Sequence, residues 1–186
     1  MSPIRVVLVD DHRVVQTGLR SYLTSFEDIE VIGAASSGEE ALEKLEGWLP
    51  DVVVMDLRMP GGMDGVEATR KVRALSPHTQ VVVLTAHTDE ARVVAALRAG
   101  AIGYVRKDSE PEVLVAAVRG AARGQSVLDP AVAGSVLQDL VRVGMDASRS
   151  IIIDNSPIAY VRCKANAIPI DRQVVVCCSV CARRGL

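Results

Sequence analysis

The chain has 186 residues, 49% of them apolar and 24% charged, and 21 Lys and Arg against 23 Asp and Glu give a formal charge of -2. This suits a soluble globular protein with one full core and a short appendage, and the near-neutral balance supplies no chain-wide attraction to nucleic acid or an anionic membrane. No run of about 18 apolar residues occurs, and Asp10, Asp11 and His12 cut short the opening apolar stretch, so neither a membrane span nor a signal peptide is predicted and the protein is expected in the cytoplasm.

Residues 4–9 form a continuous Val/Ile/Leu run, as expected of a strand buried on both faces of a parallel sheet. From 12 to 26 the apolar positions Val15, Gly18, Leu19, Tyr22, Leu23 and Phe26 recur at steps of three and four, which places them on one helical stripe. The alternation repeats: strands are predicted at 31–35, 51–55, 80–84 and 102–105, and helices at 38–48, 65–75, 89–99 and 110–123. Five such units give an α/β fold, a doubly wound five-stranded parallel sheet of flavodoxin-like order 2-1-3-4-5. Residues 1–125 are its domain, and 126–144 are read as a linker helix on the spacing of Val132, Val136, Leu137 and Leu140.

Residues 145–186 break the pattern, forming a short irregular extension. They hold six basic and three acidic residues, a local charge of +3, and all four cysteines, Cys163, Cys177, Cys178 and Cys181. The preceding fold therefore needs no disulfide or thiolate metal site. A single two-residue knuckle, Cys178 to Cys181, lacks the companion pair that zinc requires, and reduced cysteines are the preferred reading.

Ligand chemistry in a doubly wound sheet sits at the carboxyl ends of the strands. Asp10 and Asp11 end the first predicted strand, Asp56 the third and Thr85 the fourth, and Lys107 follows the fifth. Each has an ordinary reading alone: Asp11 as a helix cap, Thr85 as a β-residue, Lys107 as a surface charge, Tyr104 as core. Their joint occurrence on one rim favours function. Three uncompensated carboxylates would repel one another, and a hard divalent cation removes the conflict; oxygen ligands on one rim suit Mg²⁺. One carboxylate is then free to take a phosphoryl group, with charge shared by the cation, Lys107 and Thr85. Asp56 is the natural acceptor. His12, His78 and His87 are scattered and none is read as a metal ligand.

VLVDDH at 7–12, MDLRMPGGMDGVEA at 55–68, LTAH at 84–87 and GYVRKD at 103–108 resemble the receiver domain of two-component response regulators. VVQTGLRSYL at 14–23 and Lys107-Asp108-Ser109 most resemble the NarL/FixJ subfamily. The resemblance covers residues 3 to 125. It implies that Asp56 is the phosphoacceptor and that Asp10, Asp11 and Asp56, with the backbone carbonyl of Arg58, bind Mg²⁺. It further implies that Thr85 is the switch hydroxyl, Ala86 and Lys107 complete the phosphoryl site, and Tyr104 is the aromatic that turns inward. Arg58 and His87 would tune the lifetime of the phosphoryl group. The turn from Gly61 to Gly65 is one residue longer than the commonest form, at a surface where Gly is permissive.

NarL/FixJ regulators normally continue into a helix-turn-helix domain. Residues 145–186 instead carry strand-like runs at 151–153 and 174–176, with Pro157 and Pro169 where helices would be needed. Residues 150–170 resemble a late segment of small C-terminal-domain phosphatases of the haloacid dehalogenase superfamily, but no DxDxT motif occurs and no phosphatase activity is assigned.

The resulting expectation is a non-enzymatic switch, limited to its own phosphorylation and dephosphorylation. Asp56 takes its phosphoryl group from a sensor histidine kinase, and output runs through protein partners or a homodimer, without DNA or membrane. The alternative is a NarL/FixJ-type DNA-binding transcriptional regulator with a truncated or replaced output domain, supported by subfamily membership and the tail charge.

Overall fold

A computed structural model describes residues 2–86 and 90–128, and the backbone of 167–170 and 173–176. Strands β1 (Ile4–Val9), β2 (Ile29–Ala35), β3 (Val52–Met55), β4 (Gln80–Thr85) and β5 (Gly103–Arg106) alternate with helices α1 (Arg13–Leu23), α2 (Gly38–Trp48), α3 (Gly65–Leu75), α4 (Glu90–Arg98) and α5 (Pro111–Ala122). All five strands are parallel, in the order β2-β1-β3-β4-β5.

A sixth strand, β6 (Val127–Leu128), adds to this order beside β5, pairing Gly103 with Val127 and Tyr104 with Leu128. The sequence pattern places residues 127–128 at the start of a linker helix over 126–144. Gly124, at a φ of +72°, turns the chain back after α5, and Val127 buries its side chain in the core, so a strand forms instead. The rest of the expected linker helix, 129–144, lies outside the described residues.

The strand residues sort by the period of two. Val6, Leu8, Val54, Leu84 and Val105 face α1 and α5, where they meet Leu23, Leu114, Ala117 and Val118. Val7, Val9, Val53, Met55 and Val81 face α2 and α3, against Ala41, Leu45, Ala68 and Val72. A third cluster joins Leu57, Val83 and Tyr104 to Val93 and Ala96 of α4. Being covered on both faces explains why these strands read as unbroken apolar runs.

Local signals fix the helix starts that frame the site. The Ser37 hydroxyl accepts from the Glu40 N–H at 3.2 Å, and the Asp64 carboxylate accepts from the Glu67 N–H at 2.9 Å, capping α2 and α3. Pro111 occupies the first turn of α5. Strands β7 (Ala167–Ile170) and β8 (Gln173–Val176) form an antiparallel pair, matching the strand-like run expected at 174–176. The phosphatase-like segment 150–170 otherwise lies outside the described residues. Among the described residues no helix is long and apolar enough to cross a membrane.

Candidate functional site

Because β1, β3, β4 and β5 adjoin, the residues at their carboxyl ends meet at one rim. Asp10 follows β1 and Asp56 follows β3; they are only 3% and 4% exposed. Adjacent backbone holds both: the Asp10 N–H donates to Ala35 O at 3.1 Å and the Asp56 N–H to Val9 O at 2.8 Å. Lys107 reaches across from the end of β5, and its Nζ donates to Asp10 Oδ2 at 2.6 Å and to Asp56 Oδ2 at 2.7 Å. Its own N–H bonds Thr85 O at 2.8 Å, which locks the Lys107 backbone to the end of β4.

Two buried carboxylates sharing one ammonium form a compact ion triad. Burial pushes Lys107 toward lower pKa, but its hydrogen bonds to Asp10 and Asp56 and their negative charge outweigh it, and the ammonium is held above the ordinary lysine value. One cation cannot neutralise three carboxylates. Asp11 stands beside the pair with its Oδ1 fully buried and without a hydrogen-bond partner among the described residues. His12 Nδ1 is 2.9 Å from that oxygen without hydrogen-bond alignment, and 3.3 Å from Asp10 Oδ1. The His12 N–H also donates to Asp10 Oδ1 at 2.9 Å. His12 is the N-cap of α1 with no side-chain cap bond, so Asp11 is not the cap that its ordinary reading would make it.

Ligand-capable atoms of Asp10, Asp11, His12 and Asp56 all lie within 4.8 Å of one another. Hard carboxylate oxygens, one of them buried and unbonded, fit a small divalent cation such as Mg²⁺. His12, set aside in the sequence as no ligand, is in the same group. A cleft of about 450 Å³ opens onto the cluster, lined by Asp11, Asp56, Arg58, Ala86, Arg92 and Lys107 among others.

The remaining expected residues fall as follows. Arg58 lines the cleft and its N–H donates to Asp56 Oδ1 at 3.3 Å. Thr85 is the last residue of β4 and 1% exposed, while Ala86 is exposed at the cleft wall. Tyr104 is 1% exposed within the α4 cluster, so it already occupies the inward position. His87 lies outside the described residues.

Three supports have no sequence pattern to announce them. Gln16 of α1 donates from its Nε2 to Asp10 O at 2.6 Å and Ala35 O at 2.9 Å. Glu39 of α2 accepts the Met63 N–H at 2.6 Å, which ties down the extra-long turn; that bond holds the Glu39 carboxyl below its usual pKa. Gly61 lies in the same turn at a φ of +90°, with open space around it. The third, Gly65, lets α3 begin against the Asp56 carbonyl.

Comparison with known proteins agrees with this geometry. Residues 6–119 match the family described as "Response regulator receiver domain". The chain is 39% identical over 146 residues to the oxygen regulatory protein NreC of Staphylococcus carnosus, covering 78% of this chain and 67% of NreC. It is 41% identical over 144 residues to the transcriptional regulatory protein LiaR of Bacillus subtilis, covering 77% and 68%. Another B. subtilis relative, YhcZ, is matched over 52% of its length, so the chain spans between about half and two thirds of these curated relatives. Among solved structures, the signal receiver domain of NarL from Mycobacterium tuberculosis is 38% identical at a TM-score of 0.64, covering 67% of this chain and all of that one. The chain belongs to the response regulators, of which it carries the receiver domain with NarL-type relatives.

Proposed function

We propose that the chain is a phosphoryl-accepting switch in which Asp56 takes a phosphoryl group from a sensor histidine kinase. The observation that carries this reading is the Lys107 ammonium bonded to both Asp10 and Asp56 at the mouth of an open cleft. A carboxylate oxygen of Asp56 attacks phosphorus in line; the O–P bond forms as the N–P bond of the phosphohistidine breaks, and the electron pair leaves on the imidazole. Lys107 offers its positive charge to the transferred oxygens, and Thr85 its hydroxyl from the end of β4. Mg²⁺, held by Asp10, Asp11, Asp56 and the carbonyl of Arg58, would neutralise charge developing on the phosphoryl oxygens. Arg58 and His87 tune how long the group survives, and Ala86 shapes the wall against it.

The switch follows from redistribution of charge. In the unphosphorylated site Lys107 is shared by two carboxylates. A phosphoryl group on Asp56 brings new acceptors for Lys107 and Thr85 and shifts the population of the surface around α4, β5 and α5, behind which Tyr104 is packed. This requires no catalysis beyond the domain's own phosphorylation and dephosphorylation, and is a reaction for the cytoplasm. Output runs through protein partners or a homodimer.

Mass spectrometry of the full chain with acetyl phosphate and Mg²⁺ tests the reading, alongside Asp56→Ala. An adduct of one phosphoryl group that needs both Asp56 and Mg²⁺ is expected; a folded protein that takes up none under these conditions would overturn it. A second reading, transcriptional regulation through DNA contact, is favoured by relatives named as transcriptional regulatory proteins. A gel shift whose affinity falls steeply with salt would support it.

A further inference from the structure

The Gln16 amide sits where α1 passes over the ends of β1 and β2, one turn after the N-cap His12, to whose carbonyl its own N–H bonds at 3.1 Å. The β1–β2 ladder stops at the pair Val9 and Ala35. Beyond that pair, the carbonyl of Asp10 has left the sheet, and Gln16 Nε2 donates to it at 2.6 Å while donating to Ala35 O at 2.9 Å. Two carbonyl acceptors require the NH₂ end of the amide, so the orientation of the side chain is fixed by its surroundings.

The carbonyl of Asp10 belongs to the peptide that joins Asp10 to Asp11. Rotation of that peptide would swing the Asp11 carboxylate relative to Asp10, whose own carboxylate is held by Lys107 Nζ and the His12 N–H. Among the groups described, Asp11 Oδ1 is the buried one with no hydrogen bond to hold it. His12 Nδ1 stands 2.9 Å from it, and because His12 is the next residue along the chain, the direction of Asp11 Oδ1 depends on the backbone that carries both.

We propose that Gln16 is a positioning residue for the divalent cation: by pinning the carbonyls of Asp10 and Ala35 it fixes the peptide between the two acidic residues and aims Asp11 Oδ1 into the site. This rests on the metal-dependent reading of the cleft given above. It assigns to an uncharged residue on α1, which touches neither metal nor phosphoryl group, a share of the metal affinity. Groups that orient metal ligands commonly contribute a factor of about 10 to 100 in affinity.

The test compares the full chain with Gln16→Leu and Gln16→Glu. Leucine removes both donors without adding charge. Glutamate keeps the shape, cannot donate, and adds a negative charge that by long-range attraction alone would tighten Mg²⁺ binding. Titration with Mg²⁺, followed through the amide resonances of residues 10 to 12 and 107, should show dissociation constants weakened about tenfold in both variants. With acetyl phosphate as donor, the Mg²⁺ concentration giving half-maximal phosphorylation should rise by the same factor. The rate at saturating Mg²⁺ should stay within about twofold, since Asp56 and Lys107 are unaltered. Thermal unfolding without Mg²⁺ gives each variant's stability separately, and the isosteric glutamate decides the matter if leucine prevents folding.

Unchanged dissociation constants in both variants, or tighter binding in the glutamate variant, would sink the inference while leaving the receiver reading intact. A loss of saturating rate at unchanged Mg²⁺ affinity would assign Gln16 to the fold alone. Failure of the unsubstituted chain to bind Mg²⁺ would overturn the metal-dependent reading and this inference with it.

Discussion

The first residue of α3, Gly65, lies so close to the backbone of Asp56 that a Cβ on it would stand 2.0 Å from the Asp56 carbonyl oxygen and 2.7 Å from the Leu57 Cα. Both neighbours are main-chain atoms, so no side chain can rotate away. Gly65→Ala must displace either the start of α3 or the segment that carries Asp56. It is expected to cost about 2 kcal/mol or more, the scale of overpacking in a tight interior, and to abolish phosphoryl uptake. Urea denaturation with an acetyl phosphate assay checks both; a variant of unchanged stability would show that the approach is not as rigid as it looks.

Removing Lys107 leaves Asp10 and Asp56 buried side by side with no shared cation. In Mg²⁺-free buffer Lys107→Ala should lose about 2 kcal/mol, because hydrogen bonds to charged groups are lost and like charges remain. Adding Mg²⁺ should stabilise this variant more than the parent. The sign reverses for the double change: in the Lys107→Ala background, Asp56→Asn should regain stability by relieving the repulsion. A double-mutant cycle by urea denaturation, with and without Mg²⁺, measures all three effects.

Asp28, before β2, accepts two hydrogen bonds of 2.7 Å from Arg119 of α5. These bonds hold the Asp28 carboxyl below its usual pKa, against a smaller opposing effect of burial. A depressed carboxyl stabilises the fold above the unfolded-state pKa, and the contribution disappears as pH falls through the folded value. Because the pair is half exposed, it contributes less than about 1 kcal/mol. The stability difference between the parent and Asp28→Asn should be constant from about pH 6 to 8 and shrink below about pH 4. A difference that grows on acidification would contradict this assignment.

Leu49 ends α2 in the left-handed conformation, at a φ of 45°, with its N–H bonded to Leu45 O at 2.9 Å, and the residue is 55% exposed. A residue with a Cβ pays roughly 1 kcal/mol for that conformation, and an exposed leucine recovers little by burial. Leu49→Gly should therefore raise stability by about 0.5 kcal/mol after the added freedom of the unfolded chain is subtracted. Thermal denaturation reads the change, and a lower melting temperature would mean that the leucine side chain contributes packing worth more than the strain.

The sheet and its helices were legible because burial on both faces wrote itself into runs such as Val52 to Met55, and because apolar residues recur at helical spacing between those runs. The meeting of Asp10, Asp56 and Lys107 was legible from strand order alone, since each stands at the end of its strand. β6 was not, because two residues carry no period and the signal that makes them a strand is tertiary: Val127 packs into the core and fills the space beside Gly120. Gln16 and Glu39 were missed for another reason. Their partners are main-chain atoms, Asp10 O, Ala35 O and Met63 N, and a backbone group has no letter in the sequence. Tyr104 was placed on the right strand, but only packing against Leu57 and Val93 shows that it already lies inside.

The short sixth strand has a mechanical meaning. Leu128 is paired with Tyr104, and Tyr104 in turn with Val83, so β6 runs directly alongside the strand that leads into Lys107. The backbone of Leu128 thus lies one strand spacing, about 4.8 Å, from the backbone of β5. Any displacement of β5 would therefore be felt first by Val127 and Leu128, through main-chain pairing and not through a side-chain contact that a substitution could remove.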